Sequence, residues 1–123
     1  MASPSRPQLH ERLLMAFDDI VSLLGAMGNS SRLKILIALL DSAHSYHELK
    51  AVSKLKKSAL SSHLLLLRDL GLIQKLSHGN YELTDTGQHY LWLLGQFFEA
   101  PSALELTRFR TRAAKGFLER RDE

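Results

Sequence analysis

The 123-residue chain has no cysteine, which removes disulfides, thiolate nucleophiles and cysteine-bearing metal sites together. It also lacks any stretch approaching the roughly 20 apolar residues that span a bilayer. Its first residues, MASPSRPQLHERLLMAF, show no apolar run ahead of a small-residue cleavage site, so a cytoplasmic protein without membrane contact is expected. No glycine-rich phosphate loop or serine-nucleophile motif occurs, and Asp, Glu and His are too scattered to suggest catalysis. The reading is of a protein that is not an enzyme and carries no cofactor. Proline is confined to Pro4, Pro7 and Pro101, and no internal repeat or low-complexity segment appears.

What is present is ordinary for one soluble domain: 45% apolar and 24% charged residues. Lys and Arg exceed Asp and Glu by only 16 to 13, so the total does not point to a polyanion. The distribution does. Lys50, Lys54, Lys56 and Lys57 form a stretch without an acid between them, while acids gather at Asp18, Asp19 and the carboxyl end.

Residues 1–8 read as a flexible tail. From Leu9 the positions Leu13, Phe17, Ile20 and Leu24 recur at three and four, predicting one amphipathic helix that Gly25 and Gly28 end, with Leu14, Val21 and Leu23 widening its stripe. Asn29 or Ser30 caps the next, whose Leu33, Leu36, Ile37 and Leu40 share a face. SYHE, Ser45 to Glu48, fits a capping box for a short helix through about Val52. In KLKKSALSSHLLLLRDLGLI, Leu60, Leu64 and Leu67 point to a core, and Ser58, Ser61, Ser62 and Leu65 fall on the opposite side. Gly71 supplies a left-handed stop. Leu72 to Leu76 and Tyr81 to Thr84 then read as a hairpin around SHGN. Thr84 or Asp85 starts a further helix carrying Leu91, Leu94 and Phe98, and Pro101 breaks it before a last one with Leu106, Phe109, Ala113 and Phe117 aligned.

Helices followed by a two-stranded hairpin in this order make a helix-turn-helix with a wing. The expected fold class is mainly α with a small β-hairpin, a winged helix-turn-helix over residues 9–100 with extra N- and C-terminal helices, residues 101–123 serving dimerisation. These residues resemble a family. MGNSSRLKILIALL resembles the second-helix signature of ArsR-type winged-helix regulators, KSALSSHLLLLRDLGLIQK their recognition helix and first wing strand, and YELTDTG their second wing strand and the turn after it. The likeness covers roughly Leu24 to Leu94.

The resemblance implies a recognition helix in the major groove of double-stranded DNA, with Lys57, Ser58, Ser61 and Ser62 on its groove face and Lys75, His78 and Asn80 on the wing. Lys54 and Lys56 at the helix entrance suit phosphate, since an anion at a helix N-terminus is held by free amides and lysines together. His63 stands at the edge of the core face, as apt to pack or touch phosphate as to read a base. The family usually has a serine cap where Lys56 stands and a polar residue where Leu65 stands. Relatives often sense metals, but cysteines are absent, His44 precedes the cap of the helix carrying His47, and Asp85 with His89 does not match the family's ligand spacing, so no metal is expected. Apolar stripes too wide for a three-helix core imply a homodimer through Leu13, Phe17, Ile20, Leu24, Phe98, Leu106, Phe109 and Phe117. The expected function is a homodimeric, sequence-specific transcriptional regulator, a repressor by resemblance. Two alternatives stand beside it: a winged helix that binds protein instead of DNA, and a sensor gated by a small molecule of unnamed chemistry near Trp92, Phe97 and Phe98.

Overall fold

The computed structural model describes residues 3–99. Six helices and one hairpin follow in order among them: α1 (Arg6–Met15), α2 (Phe17–Met27), α3 (Ser30–Asp41), α4 (Tyr46–Ser53), α5 (Lys57–Asp69), β1 (Ile73–Lys75), β2 (Tyr81–Leu83) and α6 (Asp85–Phe98). Contacts divide the chain into a unit ending at Leu91 and another beginning at Trp92. No single described helix is long and apolar enough to cross a membrane; α2 and α3 meet that test only together, bent by 82°.

The first expected helix is two. The apolar spacing runs unbroken through Leu13 and Phe17, but the chain turns at Ala16 (φ −101°, ψ 14°), and α2 continues past Gly25 to Met27. Helix α1 also starts inside the segment read as a tail. Ser5 and Gln8 form a capping box, each satisfying the other's backbone amide, and proline in the first turn needs no partner for a missing N–H. None of the α1 residues is buried.

The core of the first unit is built from Met27, Ile35, Leu36, Leu39, Leu49, Leu60, Leu64, Leu67, Leu72, Ile73, Tyr81 and Leu91. On α3 the inward stripe is Ile35, Leu36 and Leu39, whereas Ile37 and Leu40, expected inside, are about half exposed. The reason is rotational. Residues 35, 36 and 39 already fill the arc facing α4 and the hairpin, and positions 40 and 37 lie roughly 90° and 150° round the helix from the centre of that arc. On α5 the expected Leu60, Leu64 and Leu67 are the buried positions.

The end of α5 closes as a Schellman motif. Gly71 takes the left-handed conformation (φ 74°), its N–H bonds to the Arg68 carbonyl, and the Leu72 N–H bonds to the Leu67 carbonyl at 3.0 Å. The chain therefore reverses into β1, which pairs antiparallel with β2 in the register Ile73 with Leu83, Gln74 with Glu82 and Lys75 with Tyr81. The other edge of β2 is also covered: His44 and Tyr81 exchange backbone hydrogen bonds of 3.0 and 2.8 Å. Thr84 then joins wing to helix, accepting from the Gly87 N–H while donating to the Gly71 carbonyl.

Candidate nucleic-acid interface

Helix α4 ends at Lys54, whose left-handed backbone (φ 57°) turns the chain, and three residues on α5 begins. Lys56 occupies the N-cap of α5 and makes no side-chain cap bond. The first amides of α5 are thus left without a side-chain acceptor at their N-cap, and Lys56, Lys57 and Ser58 around them are exposed. Between Glu48 and Asp69 the sequence has four lysines and one arginine and no acid. A shallow cleft of about 480 Å³, lined by His47, Lys50, Ala51, Lys54 and Leu55, lies beside the turn. Free amides, helix dipole and lysines all favour an anion at one place.

Ser58, Ser61, Ser62 and Leu65 lie on the exposed face of α5, opposite its buried leucines, as the spacing predicts. Leu65 is 57% exposed, so it is no internal packing contact. Ser61 is held differently from its neighbours. Tyr46, the first residue of α4, donates its hydroxyl to the Lys57 carbonyl at 2.8 Å and stands 3.1 Å from Ser61 Oγ. The Tyr46 ring packs against the core, so a core-anchored side chain reaches the first turn of α5.

His63 is half-buried rather than displayed. Its Nδ1 lies 3.0 Å from an Arg32 guanidinium nitrogen, and because arginine only donates, Nδ1 must accept and the neutral ring carries its proton on Nε2. Arg32 also donates to the carbonyls of Ala26 (2.9 Å) and Gly25 (3.2 Å). One side chain therefore satisfies the carboxyl end of α2 and steadies α5. Burial first, and the Arg32 charge second, hold the His63 imidazole below its ordinary pKa. The sequence reading missed Arg32, although a cation in the first turn of α3 opposes the helix dipole and was itself a signal. Tyr46 carries no comparable signal, because nothing in its spacing announces a partner eleven residues on.

On the wing, the Lys75 ammonium sits 5.7 Å from the centroid of the Tyr81 ring, its partner across the hairpin. His78 is exposed at the tip and Asn80 is half-buried, its carbonyl accepting from the Leu76 N–H at 2.7 Å. Among the described residues no three His, Asp or Glu side chains gather as a metal site. His44 donates Nδ1–H to the Ser42 carbonyl.

Of the residues assigned to a dimer face, Leu13, Phe17 and Leu24 are 48, 59 and 63% exposed. Ile20 is half-buried and lines a cleft with Ala16, Asp19, Ser22, Leu23, Leu70, Thr86 and Tyr90. Phe98 is 44% exposed, and Leu106, Phe109 and Phe117 lie outside the described residues. Trp92, Phe97 and Phe98, where the sensor reading places an apolar pocket, have side chains 56, 74 and 44% exposed.

Helix α4, its turn and α5, braced by α3 and followed by the hairpin, define a winged helix-turn-helix protein. The family model described as bacterial regulatory protein, arsR family, matches residues 29–75. The transcriptional activator HlyU of Vibrio cholerae is 51% identical over 53 residues, 43% of this chain, and the match spans about half, 49%, of that curated relative. The solved structure of HlyU from Vibrio cholerae N16961 is 36% identical, covering 66% of this chain and 92% of that one with a TM-score of 0.57. A homodimeric winged helix-turn-helix DNA-binding domain from Mycobacterium bovis shares the fold at 22% identity, with 79% of this chain and 88% of that one covered and a TM-score of 0.59. The chain belongs to the arsR family of bacterial regulatory proteins, a family of transcriptional regulators and not of enzymes.

Proposed function

We propose that the protein is a sequence-specific DNA-binding regulator that works in the bacterial cytoplasm as a homodimer, each copy laying α5 in a major groove. The observation that carries this reading is the entrance to α5: amides with no side-chain cap, ringed by Lys54, Lys56 and Lys57, at the start of a face bearing Ser58, Ser61 and Ser62. Lysines as point charges suit phosphates, and short hydroxyls on a helix suit base edges. Lys75 and the exposed His78 extend the contact to the flanking backbone, with Asn80 behind them. The dimer is supported by the exposed Leu13, Phe17 and Leu24. The sign of regulation follows from where the operator lies. A dimer seated across a promoter blocks it, which is the repression the sequence resemblance implies, whereas the Vibrio cholerae relative is an activator.

Selection of binding sites from random duplexes tests the proposal, with an inverted repeat about one helical turn between half-site centres as the expected result. On the selected site Lys57→Ala should weaken operator and random DNA by similar factors and lower the salt slope by about one. The exposed Leu65 favours a second reading, a protein-binding winged helix. Absence of any salt-sensitive duplex affinity would favour that one.

A further inference from the structure

We propose that Tyr46 fixes the hydroxyl proton of Ser61 and thereby makes Ser61 an acceptor-only reader of the major groove, one that selects an exocyclic amino group of adenine or cytosine. The proposal rests on the DNA-binding reading above and adds to it the identity of the base atom.

The argument is a count of protons. The Tyr46 hydroxyl touches two oxygens, the Lys57 carbonyl at 2.8 Å and Ser61 Oγ at 3.1 Å. A carbonyl oxygen has no proton, so the bond to Lys57 must use the phenol's, and a phenol has only one. The contact with Ser61 can then be made only by the serine proton, directed at the Tyr46 oxygen. Ser61 is left with lone pairs for anything approaching its exposed face. An unconstrained serine donates or accepts and discriminates poorly in the major groove, whereas an acceptor-only serine pairs with adenine N6 or cytosine N4 and is repelled by guanine O6 and thymine O4. Ser58 and Ser62 share the exposed face, and the hydrogen bonds of the Tyr46 hydroxyl go to Lys57 and Ser61. Helix α4 thus sets the chemistry of α5 at one position. Tyr46 is a positioning residue because its ring is packed against the core, which fixes where its hydroxyl can be.

The test uses the full-length protein and a duplex operator selected from random sequence. Each adenine is replaced in turn by purine, which lacks the N6 amino group, and each cytosine by 2-pyrimidinone, which lacks the N4 amino group. At one position per half-site the deletion should weaken wild-type binding about three- to tenfold, the worth of one hydrogen bond. Ser61→Ala should weaken the amino-bearing operator by a similar factor, be indifferent to the deletion, and leave affinity for the guanine or thymine variant of that position unchanged. Tyr46→Phe frees the serine proton, so its preference for the amino base over the keto base should shrink by a comparable factor. A Tyr46→Phe protein that weakens every duplex alike and keeps the wild-type preference would show a prop for the fold alone and overturn the proposal. So would a Ser61→Ala cost equal on amino and keto duplexes, a result that stands whether or not Tyr46→Phe folds. A wild type that selects an operator but shows no Ser61-dependent amino position overturns this proposal only. A wild type without affinity for any duplex overturns the DNA reading and this proposal with it.

Discussion

Lys54 has the only left-handed backbone outside glycine among the described residues, at φ 57°. A side chain in that conformation costs about 1–2 kcal/mol that glycine does not incur. Lys54→Gly should therefore raise the unfolding free energy by roughly 1 kcal/mol in denaturant titrations, while lowering affinity for random duplexes because a phosphate contact is gone. Lys56 poses the same conflict one step on, a cation at an uncapped helix start. Lys56→Ser should stabilise the free protein by a few tenths to about 1 kcal/mol, since a hydroxyl cap replaces a charge opposed by the dipole. If the serine variant melts lower and binds DNA as before, the lysines serve the fold and the phosphate explanation fails. His63 gives a pH dependence with a definite sign. Its imidazole is held below its ordinary value, so the unfolded chain takes up the proton first. The stability it supports is complete above about pH 6.5 and is lost as pH falls below that toward the folded value. Thermal melts between pH 7 and pH 5 should show the decline, and His63→Gln should flatten it.

At the scale of elements, the joint between wing and α6 has no room to spare. A β-carbon on Gly87 would run into the Leu72 backbone carbonyl, and backbone cannot swing aside as a side-chain tip can. Gly87→Ala should cost about 1–3 kcal/mol, the range for overpacking, and chemical denaturation would measure it. In YELTDTG the start of α6 was legible because Thr84 is a residue type that opens helices, and its hydroxyl does accept from the Gly87 N–H. The leucine period of α5 and the Ser45–Glu48 box were legible for the same reason: each is a local rule with a fixed spacing. Other features had no local signature. Ala16 interrupts two helices whose apolar spacing runs through it unbroken, and neither glycine nor proline marks the place. Ser5 and Gln8 carried a readable box, but Pro4 and Pro7 made the segment look like a tail. His44 drew notice for its imidazole, while its backbone pairing with Tyr81 depends on a residue far along the chain. Of the interface, the lysines and serines were readable as charge and face. Their braces, Arg32 and Tyr46, act on groups that only the fold brings near.

For the whole molecule, the exposed apolar residues at Leu9, Leu13, Leu14, Phe17, Val21 and Leu24 are more than a regulator of this size needs to keep wet. Phe17→Glu should leave a folded protein that light scattering reports as a monomer at tens of micromolar, because Phe17 is 59% exposed and outside the core. A monomeric wild type under those conditions would remove the dimer. Helix α1 carries this further. It is ten residues long and buries none of them, and a helix that short holds together poorly in water by itself. Its order then rests on its capping box, on α2, and on any surface laid over its exposed leucines. If that cover is a second copy, dilution unwinds α1 as it separates the copies, and ellipticity at 222 nm should fall with protein concentration along the same curve as molecular mass. The abundance of the regulator in the cell would then set how much of its own chain is folded.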